Sequence, residues 1–142
     1  MTGKRPIRIP NPGSRITGFT LIEVMVVMAL IVVLASVGLT LYSNSVTRAK
    51  ESVLKEDLFR MRDAIDQYYA DKGQYPATLQ DLVSDKYLRA IPKDPFTNSV
   101  DTWREVPSEP DPNNPTAQPG VYDVRSGSEL TALDGTKYSE WD

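Results

Sequence analysis

From Leu21 to Leu41 almost every position is apolar, and from Val46 onward the apolar residues recur at spacings of three and four. No proline falls between Thr20 and Lys72, and Gly38 is the single glycine there. This pattern predicts one long helix with two characters. The first part is apolar around most of its circumference, as a lipid-facing or bundle-core helix is. The second is amphipathic, with Val46, Ala49, Val53, Leu54, Leu58, Met61, Ile65, Tyr68 and Tyr69 as its apolar stripe. The opposite face carries Lys50, Glu51, Lys55, Glu56, Arg60, Arg62, Asp63 and Asp66, with some supporting i,i+4 pairs. At ~1.5 Å per residue the whole helix is about 80 Å long. One half suits a membrane, and the other offers a stripe on which a head domain packs.

Asp71-Lys72-Gly73 ends the helix, with Gly73 suited to the left-handed cap position. Tyr75-Pro76 turns the chain. Thr78 and Asp81 have capping-box spacing, which predicts a short helix from Leu79 to about Lys86 that buries Leu79, Leu82, Val83 and Tyr87. Leu88 to Phe96 holds two prolines and reads as an extended, anchored loop. Two strands are expected, Val100 to Val106 around Trp103 and Val121 to Arg125 around Tyr122 and Val124. Pro107 to Gly120, with five prolines, cannot pair inside a sheet and reads as an exposed connection. Two strands are marginal alone. They are expected to form a small antiparallel sheet packed on the long helix, which makes the fold class α+β.

Composition narrows the chemistry. Among 142 residues there is no cysteine and no histidine. That removes imidazole ligands, Ser-His and Cys-His pairs, thiolate nucleophiles, disulfides and zinc ribbons. The remaining exposed residues offer no catalytic constellation, so a structural interaction protein is expected and not an enzyme. Outside the apolar segment roughly a hundred residues remain, enough for one small core. Lys4, Arg5, Arg8 and Arg15 precede the apolar run and no acidic residue does. This asymmetry places the amino terminus in the cytoplasm and the residues after Tyr42 outside.

One residue breaks the apolar run. Glu23 is a carboxylate inside it, and such a charge costs roughly 2.5–3.5 kcal/mol even on lenient insertion scales. It sits in Gly18-Phe19-Thr20-Leu21-Ile22-Glu23, directly after the basic leader. In an ordinary secretory signal the small-residue cleavage site follows the apolar region. Here the glycine precedes it. The arrangement resembles the prepilin signal of type IV pilins and type II secretion pseudopilins. The resemblance implies cleavage between Gly18 and Phe19, methylation of the new Phe19 amine, and an assembly role for Glu23. It divides the chain into a leader (1–18), a transmembrane and assembly helix (19–42) and a periplasmic pilin-like domain (43–142). Without the leader's four cations the side chains number 12 basic and 19 acidic, a balance of −7. That argues against nucleic-acid binding, which rests on Lys and Arg neutralising phosphates. If the helix starts at Phe19, its amine and the Glu23 carboxylate lie one turn apart, near the i,i+4 spacing. A paired carboxylate is tolerable in an apolar bundle where an unpaired one is not.

Two further segments carry a resemblance. Tyr75, Pro76, Leu79, Leu82, Tyr87, Leu88, Ile91, Pro92, Asp94 and Pro95 match the pattern that follows the long helix in G-type, or major, pseudopilins. The stretch from Asp123 to Trp141 resembles their calcium loop, in which an Asp-x-x-Ser-x-Gly strand end precedes an Asp-Gly turn and a closing Trp. Calcium takes six to eight oxygens. Ser126, Ser128, Asp134 and Ser139, together with Glu129 and backbone carbonyls, are the candidate Ca2+ ligands. The chain departs from that pattern: Glu129-Leu130-Thr131-Ala132-Leu133 replaces a Gly- and Asp-rich middle, and the late aspartate before the Trp is missing. The alternative is a β-turn at Asp134-Gly135 in a solvated loop, with Trp141 as a packing plug.

The resemblance implies a subunit of a type II secretion pseudopilus, a homo-oligomeric helical filament. That filament extends from the inner membrane, is driven by a cytoplasmic ATPase, and exports folded proteins. It implies prepilin peptidase, minor pseudopilins, an inner-membrane assembly platform and membrane lipid as partners. A type IV pilin or minor pilin, serving adhesion, motility or DNA uptake, is the alternative. Those commonly close their carboxy-terminal region with a disulfide, which this chain cannot form.

Overall fold

The computed structural model describes residues 1–9, 13, 18–110, 112–116 and 118–142. Residues 10–12 and 14–17 of the expected leader, Arg15 among them, lie outside the described residues, as do 111 and 117 of the proline-rich connection. In chain order the elements are α1 (Leu21–Lys72), α2 (Leu79–Ser84), β1 (Arg104–Pro107), β2 (Val121–Arg125) and a 3-10 turn (Tyr138–Glu140). The chain forms two compact units, Met1–Leu39 and Thr40–Asp142.

In the first unit the described leader residues have no regular structure, and α1 begins at Leu21. The helix is long and apolar enough to cross a membrane, and none of its most apolar window is buried. Leu21, Met25, Leu30, Leu34 and Leu39 are all exposed. An apolar surface this continuous needs lipid or other helices to cover it.

In the second unit α1 buries Leu54, Asp57, Leu58, Met61, Ala64, Ile65 and Tyr68. The stripe is narrower than the sequence suggests. Val46, Ala49, Val53 and Tyr69 are exposed. Val53 and Tyr69 each sit one residue off the buried line, about 100° around the helix axis, and the packed stripe begins only at Leu54. Gly73 adopts the expected left-handed conformation (φ 67°) and its N–H donates to the Tyr69 carbonyl at 2.8 Å. Helix α2 is shorter than expected. Lys86 turns to positive φ, and the Leu82 carbonyl accepts from both Tyr87 and Leu88 N–H at 2.9 Å, which closes the helix early. At its start the Asp81 carboxylate accepts the Thr78 N–H at 3.0 Å.

The strands pair antiparallel, Arg104 with Arg125 and Glu105 with Val124, with an irregularity at Val106/Pro107. β1 starts later than expected because Trp103 is committed to the core: it is buried and its indole N–H donates to the Pro92 carbonyl at 2.8 Å. Val121 and Val124 point inward, while Tyr122 is exposed and meets Tyr75 edge-on. The core joins the α1 stripe to Leu79, Leu82, Trp103, Val121, Val124, Ala132 and Tyr138. The α+β architecture expected from the sequence is therefore present, with a two-stranded sheet.

Two positions test this packing. A Cβ on Gly127 would lie 2.0 Å from the Thr102 carbonyl oxygen, so neighbouring backbone would have to move. Gly127→Ala is expected to cost about 1–3 kcal/mol; a thermal midpoint equal to that of the parent would contradict the close approach. Asp57 is the charged member of the α1 stripe, and it has no hydrogen bond or ion pair among the described residues. Burial pushes its carboxyl above the ordinary 3.8, Arg60 opposes this, and Glu56 and Asp94 add to it. A raised pKa means the folded state favours the protonated form. That contribution to stability is fully present below the unfolded value and is lost as pH rises through the folded one. Asp57→Asn is therefore expected to raise the thermal midpoint at neutral pH, with the gain fading as pH falls toward 3.8. A lower midpoint for the variant at neutral pH would show that the charge has a partner.

Candidate functional site

The first candidate site is the start of α1. Thr20 precedes the helix, its hydroxyl oxygen accepts the Glu23 N–H at 3.2 Å, and its carbonyl accepts the Val24 N–H at 3.2 Å. Thr20 is thus an N-cap that satisfies one of the orphan amides of the first turn. Sequence reading alone overlooks this role, although Thr-Leu-Ile-Glu has the capping spacing that would reveal it. Glu23 lies in the first turn, where a negative charge meets the positive end of the helix dipole. Its carboxylate makes no hydrogen bond or ion pair among the described residues. Gly18 and Phe19 lie in irregular backbone ahead of the helix, and Phe19 is 81% exposed. A Cβ on Gly18 would meet nothing within 4 Å among the described residues. Packing gives no reason for glycine there.

The second candidate is the segment after β2, from Ser126 to Asp142. It turns at Asp134-Gly135, as expected. Gly135 has φ 90° and donates to the Ala132 carbonyl at 3.0 Å, and Ala132 donates to the Thr136 carbonyl at 2.7 Å. Tyr138 is buried, stacked on Phe96 at 3.8 Å between ring centroids, and meets Trp141 edge-on at 5.0 Å. Trp141 is half-buried and its indole N–H donates to the Thr136 hydroxyl at 2.7 Å, which fits a packing plug.

The four residues put forward as calcium ligands fall into separate places. Ser126 is buried and its hydroxyl donates to the Asp94 carboxylate. The same oxygen accepts the Ser128 N–H at 3.1 Å, and the Ser128 hydroxyl accepts the Leu130 N–H at 3.3 Å. Asp134 is exposed and binds Thr136 through both N–H (2.9 Å) and hydroxyl (2.6 Å). The Thr136 hydroxyl, its N–H and the charge of Lys55 together hold the Asp134 carboxyl below the usual range. Ser139 is buried in the 3-10 turn and shares no hydrogen bond with the other three. Ser126 and Ser128 are brought together; Asp134 and Ser139 do not join them.

Two charged residues of α1 reach this segment, and sequence reading places both on a solvated face. The Glu51 carboxylate accepts the Leu133 N–H at 2.9 Å and the Tyr138 hydroxyl at 3.0 Å. Burial, and then the Glu51 hydrogen bond, push the Tyr138 phenol up to about 12. Arg62 donates to the Asp123 carboxylate at 2.7 Å and to the carbonyls of Val124 at 3.1 Å and Trp141 at 3.0 Å. Between them Lys55 lies 4.8 Å from the centroid of the Trp141 ring. An open groove of about 580 Å³ remains there, lined by Lys55, Phe59, Arg62, Asp134 and Trp141 among others.

Comparison with known proteins bears on the first site most directly. The prokaryotic N-terminal methylation motif matches residues 13–39. Type II secretion system core protein G of Klebsiella pneumoniae is 34% identical over 99 residues, 58% of this chain and 71% of that protein. The protein of the same name from Pectobacterium carotovorum is 31% identical over 100 residues, 59% of this chain and 64% of that protein. Fimbrial protein EcpC of Eikenella corrodens is 35% identical over 79 residues, 52% of each chain. The chain therefore spans about half the length of the Eikenella protein and less than two thirds of the Pectobacterium one. No solved structure matches it.

Proposed function

The chain belongs to the type II secretion system core protein G family, and on that premise we propose that it is a structural subunit of a secretion pseudopilus. Prepilin peptidase removes residues 1–18, and Phe19 becomes the methylated amino terminus. Residues 19–42 then anchor the subunit in the inner membrane and later pack against neighbouring copies. Residues 43–142 form the periplasmic domain. Minor pseudopilins and an inner-membrane platform are the assembly partners, and the growing periplasmic filament drives export. The role is structural and not enzymatic.

The observation that carries this reading is the junction at Gly18-Phe19. An exposed, irregular dipeptide precedes a capped helix whose apolar half is uncovered. Cutting there keeps the whole apolar segment in the mature protein and leaves its end free to assemble. Glu23 supplies the register. Its carboxylate has no partner among the described residues. Cleavage creates an amine on Phe19, four residues before Glu23 and just ahead of the helix, on the same or a neighbouring subunit. Pairing with that amine removes the large cost of a lone charge in an apolar bundle, and only the correct axial offset permits it.

The match to a fimbrial protein favours the pilin alternative, but it spans a smaller share of its relative than the core protein G matches do. The absence of cysteine also counts against a disulfide-closed pilin. Secretion is the better-supported reading.

Two substitutions test it. Gly18→Val is expected to block leader removal, seen as a slower-migrating precursor on electrophoresis; unchanged processing would reject the cleavage site. Glu23→Leu is expected to leave membrane insertion intact while filament yield collapses, read as loss of the subunit ladder after in-cell cross-linking and immunoblot. Filaments at parental yield would rule out the register role.

A further inference from the structure

Calcium would need six to eight oxygens from the carboxy-terminal segment, and the side-chain oxygens expected to supply them are largely engaged within the protein. The hydroxyls of Ser126 and Ser128 are hydrogen-bonded to Asp94 and to loop amides. The carbonyls of Leu130, Ala132 and Thr136 accept the N–H groups of Tyr138, Gly135 and Ala132. The two carboxylates of the turn region are matched by protein cations. Glu129 pairs with Arg104 and lies 4.0 Å from Lys137, while Lys55 acts on Asp134. No group of three carboxylates that could hold a metal occurs among the described residues. A divalent ion would enter among three positive side chains, Arg104, Lys137 and Lys55, and would have to displace bonds that hold the loop together.

What closes the segment is the helix. Glu51, Lys55, Leu58 and Arg62 follow one another at steps of four, three and four, which places them on one face of α1. Glu51 grips the turn at Leu133 and Tyr138, Lys55 covers the Trp141 ring, and Arg62 takes the Trp141 carbonyl together with β2. Leu58 between them belongs to the buried core. Hydrogen bonds to ionised groups are the stronger kind, roughly 1.5–3 kcal/mol each in mutational series. Glu51 and Arg62 make such bonds, and Lys55 adds its cation over the Trp141 ring, so one helical face holds the loop as a multidentate ion would, from one side.

We infer that the carboxy-terminal segment is closed by the Glu51–Lys55–Arg62 face of α1 and not by a cation, so that this chain folds and keeps its loop without calcium. Here the charges that hold the loop are covalently part of the helix. Loop order is therefore independent of the ion concentration outside the membrane.

The test uses the full-length chain in detergent micelles. A ligand that binds only the folded state must raise the thermal midpoint. The midpoint of the unmutated chain is expected to be the same in chelator and in millimolar calcium. Glu51→Ala, which removes the acceptor of both bonds, is expected to lower it by roughly 4–8 °C, with faster hydrogen exchange at the Leu133 amide, and added calcium is expected to restore neither. A midpoint that falls in chelator or rises with calcium in the unmutated chain would overturn the inference, and this arm holds even if the variant fails to fold. Parental stability and Leu133 protection in Glu51→Ala would overturn it equally, because the helix would not be the clamp.

Discussion

Everything in the second unit, Thr40–Asp142, depends on one packed line along α1, from Leu54 through Leu58, Met61 and Ile65 to Tyr68. A two-stranded sheet is marginal in water, and α2 is only six residues long. Neither element has an apolar partner of its own size except the helix. The line supplies that partner: Leu82, Val124 and Tyr138, from three separate segments, are fully buried in the same cluster with it. The helix in turn is continuous with the apolar segment that begins at Leu21, so one element serves two environments. The sequence allows this because it changes from all-round apolar to one-sided within a helix free of proline.

The helix, the Gly73 cap, β2 and the Asp134 turn were legible because each is dictated by residues adjacent in sequence. The N-terminal methylation motif over residues 13–39 was legible for the same reason: basic residues, a glycine and an apolar run with one carboxylate lie within a short stretch. What escaped depends on distant contacts. β1 is shortened by the bond from Trp103 to Pro92, which no period-two pattern encodes. Val53 and Tyr69 look like core by spacing, yet they fall beside the line that the head domain covers.

Glu51 and Arg62 were the least legible. On a helical wheel they belong to the polar face, and a charge there is ordinarily solvated. Their partners, Leu133 and Trp141, are 82 and 79 residues away. Sequence spacing carries no signal for such a bond. Asp57 gives the converse case: its position on the buried line leaves a charge in the core without a partner among the described residues. Charge pattern alone does not separate a solvated carboxylate from a clamping one or from a desolvated one.

The same comparison sharpens the meaning of Glu23. Glu51 satisfies its carboxylate within the subunit, through an amide and a phenol. Asp94, the most buried carboxylate, satisfies its own through Ser126 and the amides of Phe96 and Thr97. Glu23 has neither kind of donor within the described residues, and the residues that follow it on the helix, Val24 to Leu30, are all apolar. Its nearby protein donor is the first-turn backbone, whose orphan amides the Thr20 cap only partly satisfies. In an apolar surrounding the remaining demand of that carboxylate must be met by a group delivered from outside the side-chain set. On the proposed reading, cleavage before Phe19 delivers it. The amine arrives at the one end of the helix where both it and Glu23 can be reached by a neighbouring copy, so a charge that is a liability in a single subunit becomes a condition for joining the next.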